Sequence, residues 1–141
     1  MANQFATFFL DGHYFGVDVL QVQEVIRFQP MTAVPLAPAT VAGLINLRGQ
    51  IVTALDLRTR VGLPSRSEGE RPMNVVVRTD DGSFSLLVDE IGDVVEVDSR
   101  RFEPVPPTVD ERTAELVTGV YKLDDRLLLV VDVERALQVE E

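Results

Sequence analysis

Apolar residues fall in short runs that are broken at close intervals by Asp-Gly, Arg-Gly and proline-rich stretches, the pattern of many short strands. The clearest case spans Gly43 to Arg58, GLINLRGQIVTALDLR. Leu44, Ile45 and Leu47 precede Arg48-Gly49-Gln50, and Ile51, Val52, Ala54, Leu55 and Leu57 follow it. Short length and β-branched content favour strands over a helix. Gly49 suits a turn position that needs positive φ, so the segment predicts a β-hairpin.

The same reading covers the rest of the chain. Phe5 to Leu10 and Tyr14 to Val17 predict strands around an Asp11-Gly12 turn. Asp18 to Ile26 predicts a short helix capped by Asp18, with Gln21 at the capping-box position and Val19, Val22 and Ile26 on one face. Its β-branched residues make a turn followed by a strand the competing assignment. Arg27 to Val34 reads as extended. Pro35 and Pro38 stiffen the connection that follows, leaving Ala39 to Ala42 one helical turn at most. Thr59 to Leu63 suggests a short turn, and Pro64 to Pro72 an exposed polar loop. Met73 to Thr79, Phe84 to Val88 and Val94 to Val97 predict strands, with a turn at Asp80 to Ser83. Asp98 to Asp110 is turn-like. Leu116 to Leu123 and Leu127 to Val133 predict a last hairpin around Asp124-Asp125, and Glu134 to Val139 a closing helical turn.

An internal repeat is visible. Gly43 to Arg58 lies without gaps on Gly119 to Glu134, so that Gly43 meets Gly119, Leu47 meets Leu123 and Asp56 meets Asp132. Gly12 corresponds loosely with Gly82, and Asp18 with Asp89. Two explanations stand: chance likeness of apolar hairpins, or two similar β lobes of about 70 residues each. Regular short strands favour barrels or a sandwich.

Composition narrows the function classes. The chain has 141 residues, a net charge of −10, one histidine, no tryptophan and no cysteine. Disulfides and thiolate metal sites are excluded. The negative charge argues against general nucleic-acid or anionic-membrane binding. Apolar runs are too short to span a bilayer, and MANQFATFFLDG lacks the basic start of a signal peptide. With His13 alone, placed beside a turn, catalytic triads and Cys/His pairs are poorly served. A zinc site would need mostly carboxylates. No GxGxxG or GxxxxGK[ST] loop is present. Asp80-Asp81 and Asp124-Asp125 imitate paired acids but sit in turns, where Asp bonds local backbone. Asp56 and Asp132 read as caps for the helical turns that follow them. Arg48 has two readings, a solvated turn arginine or an interface anchor whose planar fork pairs with carboxylates. Val22 reads as core by period, and Glu24 as an exposed, solvated acid.

Four segments together resemble the CheW family of bacterial chemotaxis adaptors: YFGVDVLQVQEVI, VAGLINLRGQIVTALDLR, LLVDEIGDVVEV and LVTGVYKLDDRLLLVVDVERAL. The likeness runs from about Phe5 to Leu137. It implies a mainly β fold, a single CheW-like domain over residues 1–141 made of two intertwined SH3-like five-stranded β-barrel lobes around a shared core, with a few short helices. The halves are approximately 1–71 and 72–141.

The resemblance also implies a non-catalytic, cofactor-free, metal-free adaptor at membrane-associated receptor arrays in the cytoplasm. Such an adaptor couples the cytoplasmic tip of a chemoreceptor to the regulatory domain of the histidine kinase CheA and assembles with it in rings. It enters neither nucleic acid nor membrane. On the family motif, Gly43, Asn46, Leu47, Arg48 and Gly49 match kinase-binding positions. Val22, Glu24, Val88, Asp89 and Gly92 match the receptor-binding side, where a helical hairpin would lie in a groove between the barrels. The fold also occurs in CheA and in CheV-type proteins, but a chain of this length has room for neither a kinase nor a receiver. Alternatives are an adaptor of a pilus-motility or other chemosensory pathway, a small-molecule or purine-binding module, and an array component that binds the kinase alone.

Overall fold

The computed structural model describes residues 2–138. Strands β1 (Ala2–Leu10) and β2 (His13–Asp18) form the first hairpin, and a 3-10 turn at Val19–Gln21 leads into β3 (Val22–Ile26). Strands β4 (Val41–Leu47) and β5 (Gln50–Asp56) run into the short helix α1 (Leu57–Arg60). Next come β6 (Met73–Thr79), β7 (Gly82–Val88), β8 (Glu90–Asp98), a second 3-10 turn at Ser99–Arg101 and the short β9 (Phe102–Glu103). Helix α2 (Glu111–Ala114), β10 (Val117–Lys122), β11 (Leu127–Val131) and α3 (Val133–Leu137) close the chain.

The described strands form two sheets, one ordered β8-β1-β2-β11-β10-β9 and the other β3-β6-β7-β5-β4. Apart from β9, the two orders are the same with the halves of the chain exchanged. Neither sheet comes from one half alone. The first uses β1 and β2 with β8 to β11, and the second uses β3 to β7. In each, one parallel pairing joins the halves: β2 with β11, and β5 with β7.

The repeat read in the sequence is physical. The β4–β5 hairpin is bulged between Val41 and Gly43, and the β10–β11 hairpin between Val117 and Gly119. Asp56 and Asp132 end these hairpins at nearly equal angles, φ −85° and ψ 109° against φ −84° and ψ 106°. Each caps the helix that follows, accepting from Arg58 N and Arg135 N. Both bulge glycines admit a neighbouring segment. A Cβ on Gly43 would lie 2.8 Å from Thr32 O, and one on Gly119 would lie 2.7 Å from Glu103 O. Thr32 bridges Leu44, as Glu103 pairs with Val120 in the other lobe.

Three apolar clusters explain why the inner strands read as unbroken hydrophobic runs. Between the sheets lies a shared core that includes Phe8, Phe15, Val75, Val77, Leu86, Val88, Leu129 and Val131. The second sheet wraps its own core of Ile45, Leu47, Val52, Ala54, Val76 and Leu87. The first wraps Phe5, Val97, Tyr121, Leu128 and Val130. Successive residues of β6, β7 and β11 therefore enter different cores, and these strands are apolar on both faces.

The structure corrects several expectations. The helix over Asp18–Ile26 is a single 3-10 turn followed by β3, so the competing assignment holds. Asp18 does cap that turn, through Leu20 N at 2.9 Å. The spacing of Val19, Val22 and Ile26 suited a helix, but pairing with β6 wins. Ala39–Ala42 is not helical beyond a turn closed by Val41 N to Pro38 O, because β4 begins at Val41. Helix α1 starts two residues before the predicted turn at Thr59, where Asp56 caps it. Asp98–Asp110 contains β9, and α2 was not anticipated. Helix α3 covers the predicted closing turn as far as Leu137, while Val139 lies outside the described residues. The first sheet has a sixth strand, β9, where five were expected.

Adjacent residues on β7 provide a test. Leu86→Ala and Leu87→Ala should each cost about 2–5 kcal/mol in urea unfolding, because each leaves a cavity in a different core. A large loss at only one of them would show that β7 buries one face alone.

Candidate functional site

Two polar constructions stand out on this frame. The first joins the sheets. Asp89 occupies the single step between β7 in the second sheet and β8 in the first. Arg58 grips its carboxylate with two parallel bonds, Nε to Oδ1 and Nη2 to Oδ2, both 2.8 Å. The backbone N–H of Asp11, in the β1–β2 turn, donates to Oδ2 at 2.7 Å. Arg66 reaches in from the polar loop, bonding both oxygens of Asp56 at 2.9–3.0 Å and lying 3.1 Å from Asp89 Oδ1. Arg58 also donates to Pro64 O at 2.9 Å, which holds the loop down. Burial alone would raise the Asp89 carboxyl. The bonds from Arg58 and Asp11 N–H and the charges of Arg58 and Arg66 outweigh it, so the group sits below the ordinary carboxylate range.

The second construction is the tip of the β4–β5 hairpin. Arg48 at φ 51° and Gly49 at φ 87° make a turn in which both central residues are left-handed, the form that matches strand twist in two-residue hairpins. Asn46 Oδ1 accepts from Gly49 N at 2.9 Å and fixes the turn. The Arg48 guanidinium pairs with Glu24 on β3. Strands β3 and β4 are opposite edges of the second sheet, so this ion pair links its two borders. Ile26, Met31 and Ala42 pack beneath, against the core of that lobe. The Arg48 side chain is 71% exposed and that of Glu24 20%. Glu24 is thus a half-buried, partnered acid and not the exposed one expected. A bulge between Val22 and Glu24 sets the two residues on different faces of β3.

The ten residues singled out by family resemblance divide by burial. Asn46, Arg48 and Gly49 lie at the exposed tip. Leu47 is buried in the lobe core, and Gly43 is buried against Met31 and Thr32. Val22 is half-buried against the shared core, and Val88 is fully inside it. Asp89 belongs to the sheet-joining network. Gly92 leaves room for Thr7, whose hydroxyl donates to Asp93 O. The tip therefore meets Glu24, while Val88, Asp89 and Gly92 hold the junction of the sheets. Sequence reading missed Arg58 and Arg66, and it placed Arg66 in an exposed loop although its side chain is 9% exposed. It also missed Ile51, which is 60% exposed opposite Asn46. Among the described residues no cluster of His, Cys, Asp and Glu is arranged to hold a metal, and no helix is long and apolar enough to cross a membrane.

Comparison with known proteins agrees with this fold. Residues 4–141 match the model of the CheW-like domain. The chemotaxis protein CheW of Klebsiella aerogenes is 30% identical over 141 residues, covering 100% of this chain and 85% of that protein. That of Bacillus subtilis is 29% identical over 133 residues, covering 94% and 85%. The crystal structure of the scaffolding protein TtCheW from Thermoanaerobacter tengcongensis superposes with a TM-score of 0.87 at 29% identity, covering 99% of this chain and 95% of that one.

The Asp89 network carries a pH signature. Its carboxyl titrates lower in the fold than in the unfolded chain, where about 3.9 is usual. Its stabilisation is complete above that unfolded value and is lost as pH falls through the folded one. Asp89→Asn should cost about 1–3 kcal/mol at neutral pH and should flatten part of the loss of stability on acidification. Asp98 and Asp125, drawn down by hydrogen bonds from Arg100 and Arg126 on the open surface, keep their share in the variant. Equal acid sensitivity of the two proteins in urea titrations would contradict this role.

Proposed function

The chain belongs to the CheW-like domain family, and from that premise we propose that it is a chemotaxis adaptor linking receptor tips to the regulatory domain of a CheA-type histidine kinase. The family match over residues 4–141 carries the reading. It accounts for a fold whose internal repeat serves architecture and whose exposed hairpin tip does not.

The tip supports a partner role by comparison within the chain. In the second copy of the hairpin, Asp124 and Asp125 stand where Arg48 and Gly49 stand, and they lack the positive φ of that pair. The fold does not require an arginine at that place. The Arg48 tip, fixed by Asn46, is assigned to the kinase. Val22 and Glu24 are assigned to the receptor side. Val88, Asp89 and Gly92 act through the fold that presents β3 and β8. Since Arg48 holds Glu24, the two contact sets adjoin at one corner of the second sheet, and a kinase carboxylate approaching Arg48 competes with Glu24. The adaptor works in the cytoplasm at membrane-associated arrays and alternates with the kinase in rings.

Arg48→Ala should weaken binding of a CheA regulatory-domain fragment by about 1–2 kcal/mol in calorimetric titration. Its unfolding free energy should move by about 1 kcal/mol or less, because Arg48 is largely exposed even though its partner Glu24 is half-buried. Unchanged kinase affinity would remove the anchor role. Glu24→Lys should impair binding of a receptor-tip fragment more than binding of the kinase fragment; the opposite ranking would show that the two faces are exchanged.

A further inference from the structure

A cavity of about 520 Å³ opens on the first sheet between the β1–β2 turn, the start of β11 and the loop into α2. It is separate from the Arg48 corner, which lies on the second sheet. Ligand sites commonly run to about 300–1,000 Å³, with apolar walls and a few convergent polar groups. This cavity has that make-up. Leu129 belongs to the shared core, and Leu127 and Val109 pack against it, so the floor is apolar.

The rim is rich in donors that the protein leaves unused. His13, Thr108 and Thr113 line it, and among the described residues their side chains bond to no protein group. Arg126 lines it as well, with Nε and Nη2 bonded to Asp125 and its guanidinium held over the Tyr14 ring at 4.8 Å and the Phe9 ring at 5.7 Å. Two carboxylates lie near, Asp110 in the wall and Asp125 beside Arg126. Asp110 accepts from Arg112 N at 3.2 Å, and Asp125 pairs with Arg126 at 3.2 Å. What complements such a site is an apolar body carrying an acceptor.

We propose that this cavity binds a small organic molecule with an aromatic or aliphatic body and one carbonyl or carboxylate group, the body on Leu127 and Leu129 and the acceptor facing Arg126 and the rim hydroxyls. The site does not depend on the adaptor reading. The Asp11–Gly12 turn touches both it and the Asp89 network, since Gly12 lines the cavity while Asp11 N–H bonds Asp89.

The test is an amide NMR titration of the full chain with phenylacetate and, separately, phenylacetamide. Saturable shifts are expected at His13, Thr108, Thr113 and Leu127, with half-saturation near or below about 1 mM, as befits ligands of this size. The probes should also raise the melting temperature. Thr108→Trp, which places an indole at the exposed mouth, should abolish both effects, and His13→Trp, from the β1–β2 side of the cavity, should do the same. Arg126→Ala should weaken phenylacetate about tenfold and phenylacetamide less. Absence of saturable shifts at these amides, or shifts that survive both tryptophan variants in folded protein, would overturn the proposal.

Discussion

Burial of single strands on both faces is the constraint on which the molecule depends. Strands β6, β7 and β11 send one residue into the shared core and the next into the core of a lobe. Val75 and Val77 go one way and Val76 the other. Leu86 and Leu87 part in the same manner. This requirement makes the inner strands continuous in apolar residues and pushes charge to hairpin tips, outer strands and loops. The exchange of strands between halves follows, because each lobe needs an inner hairpin from one half and an outer hairpin from the other.

With the cores made common, polar contacts decide how the sheets are joined. Asp89 sits where the chain passes from one sheet to the other, and it gathers Arg58, Arg66 and the Asp11 turn. Its counterpart in the repeat, Asp18, caps only its own turn. The position of Arg58 is taken by Glu134 in the second copy. The two crossings between sheets are therefore unequal, one clamped by arginines and one not. The hairpin tips are unequal too, with Arg48 at one and acids at the other. Architecture is carried by what the halves share, and the proposed partner contacts by where they differ.

Much of the fold was legible in the chain because its determinants are local. Asp-Gly and Arg-Gly turns and caps at Asp56 and Asp132 fix the hairpins within a few residues, and the repeat exposes matching hairpins but not the exchange of strands between halves. Asp18 to Ile26 misled because Val19, Val22 and Ile26 suit either a helix or a strand, and only pairing with β6 decides. The site was legible in part. Arg48 was visible as a cation out of place, but its pairing with Glu24 depends on two sheet edges meeting, which no local pattern records. Arg66 was invisible for the same reason: it lies in a loop of polar residues, and its partners Asp56 and Asp89 are brought to it by separate strands. Val88 and Gly92 illustrate the converse. Family likeness marks them, and burial gives them a structural task.

An adaptor must hold two partners at once. The most direct measurement is sedimentation or calorimetric titration of the folded chain with a CheA regulatory-domain fragment and a receptor-tip fragment, singly and together. The account predicts that each binds at micromolar concentration and that a complex of all three forms. Failure of the folded chain to bind either fragment, or binding of one that excludes the other, would contradict it.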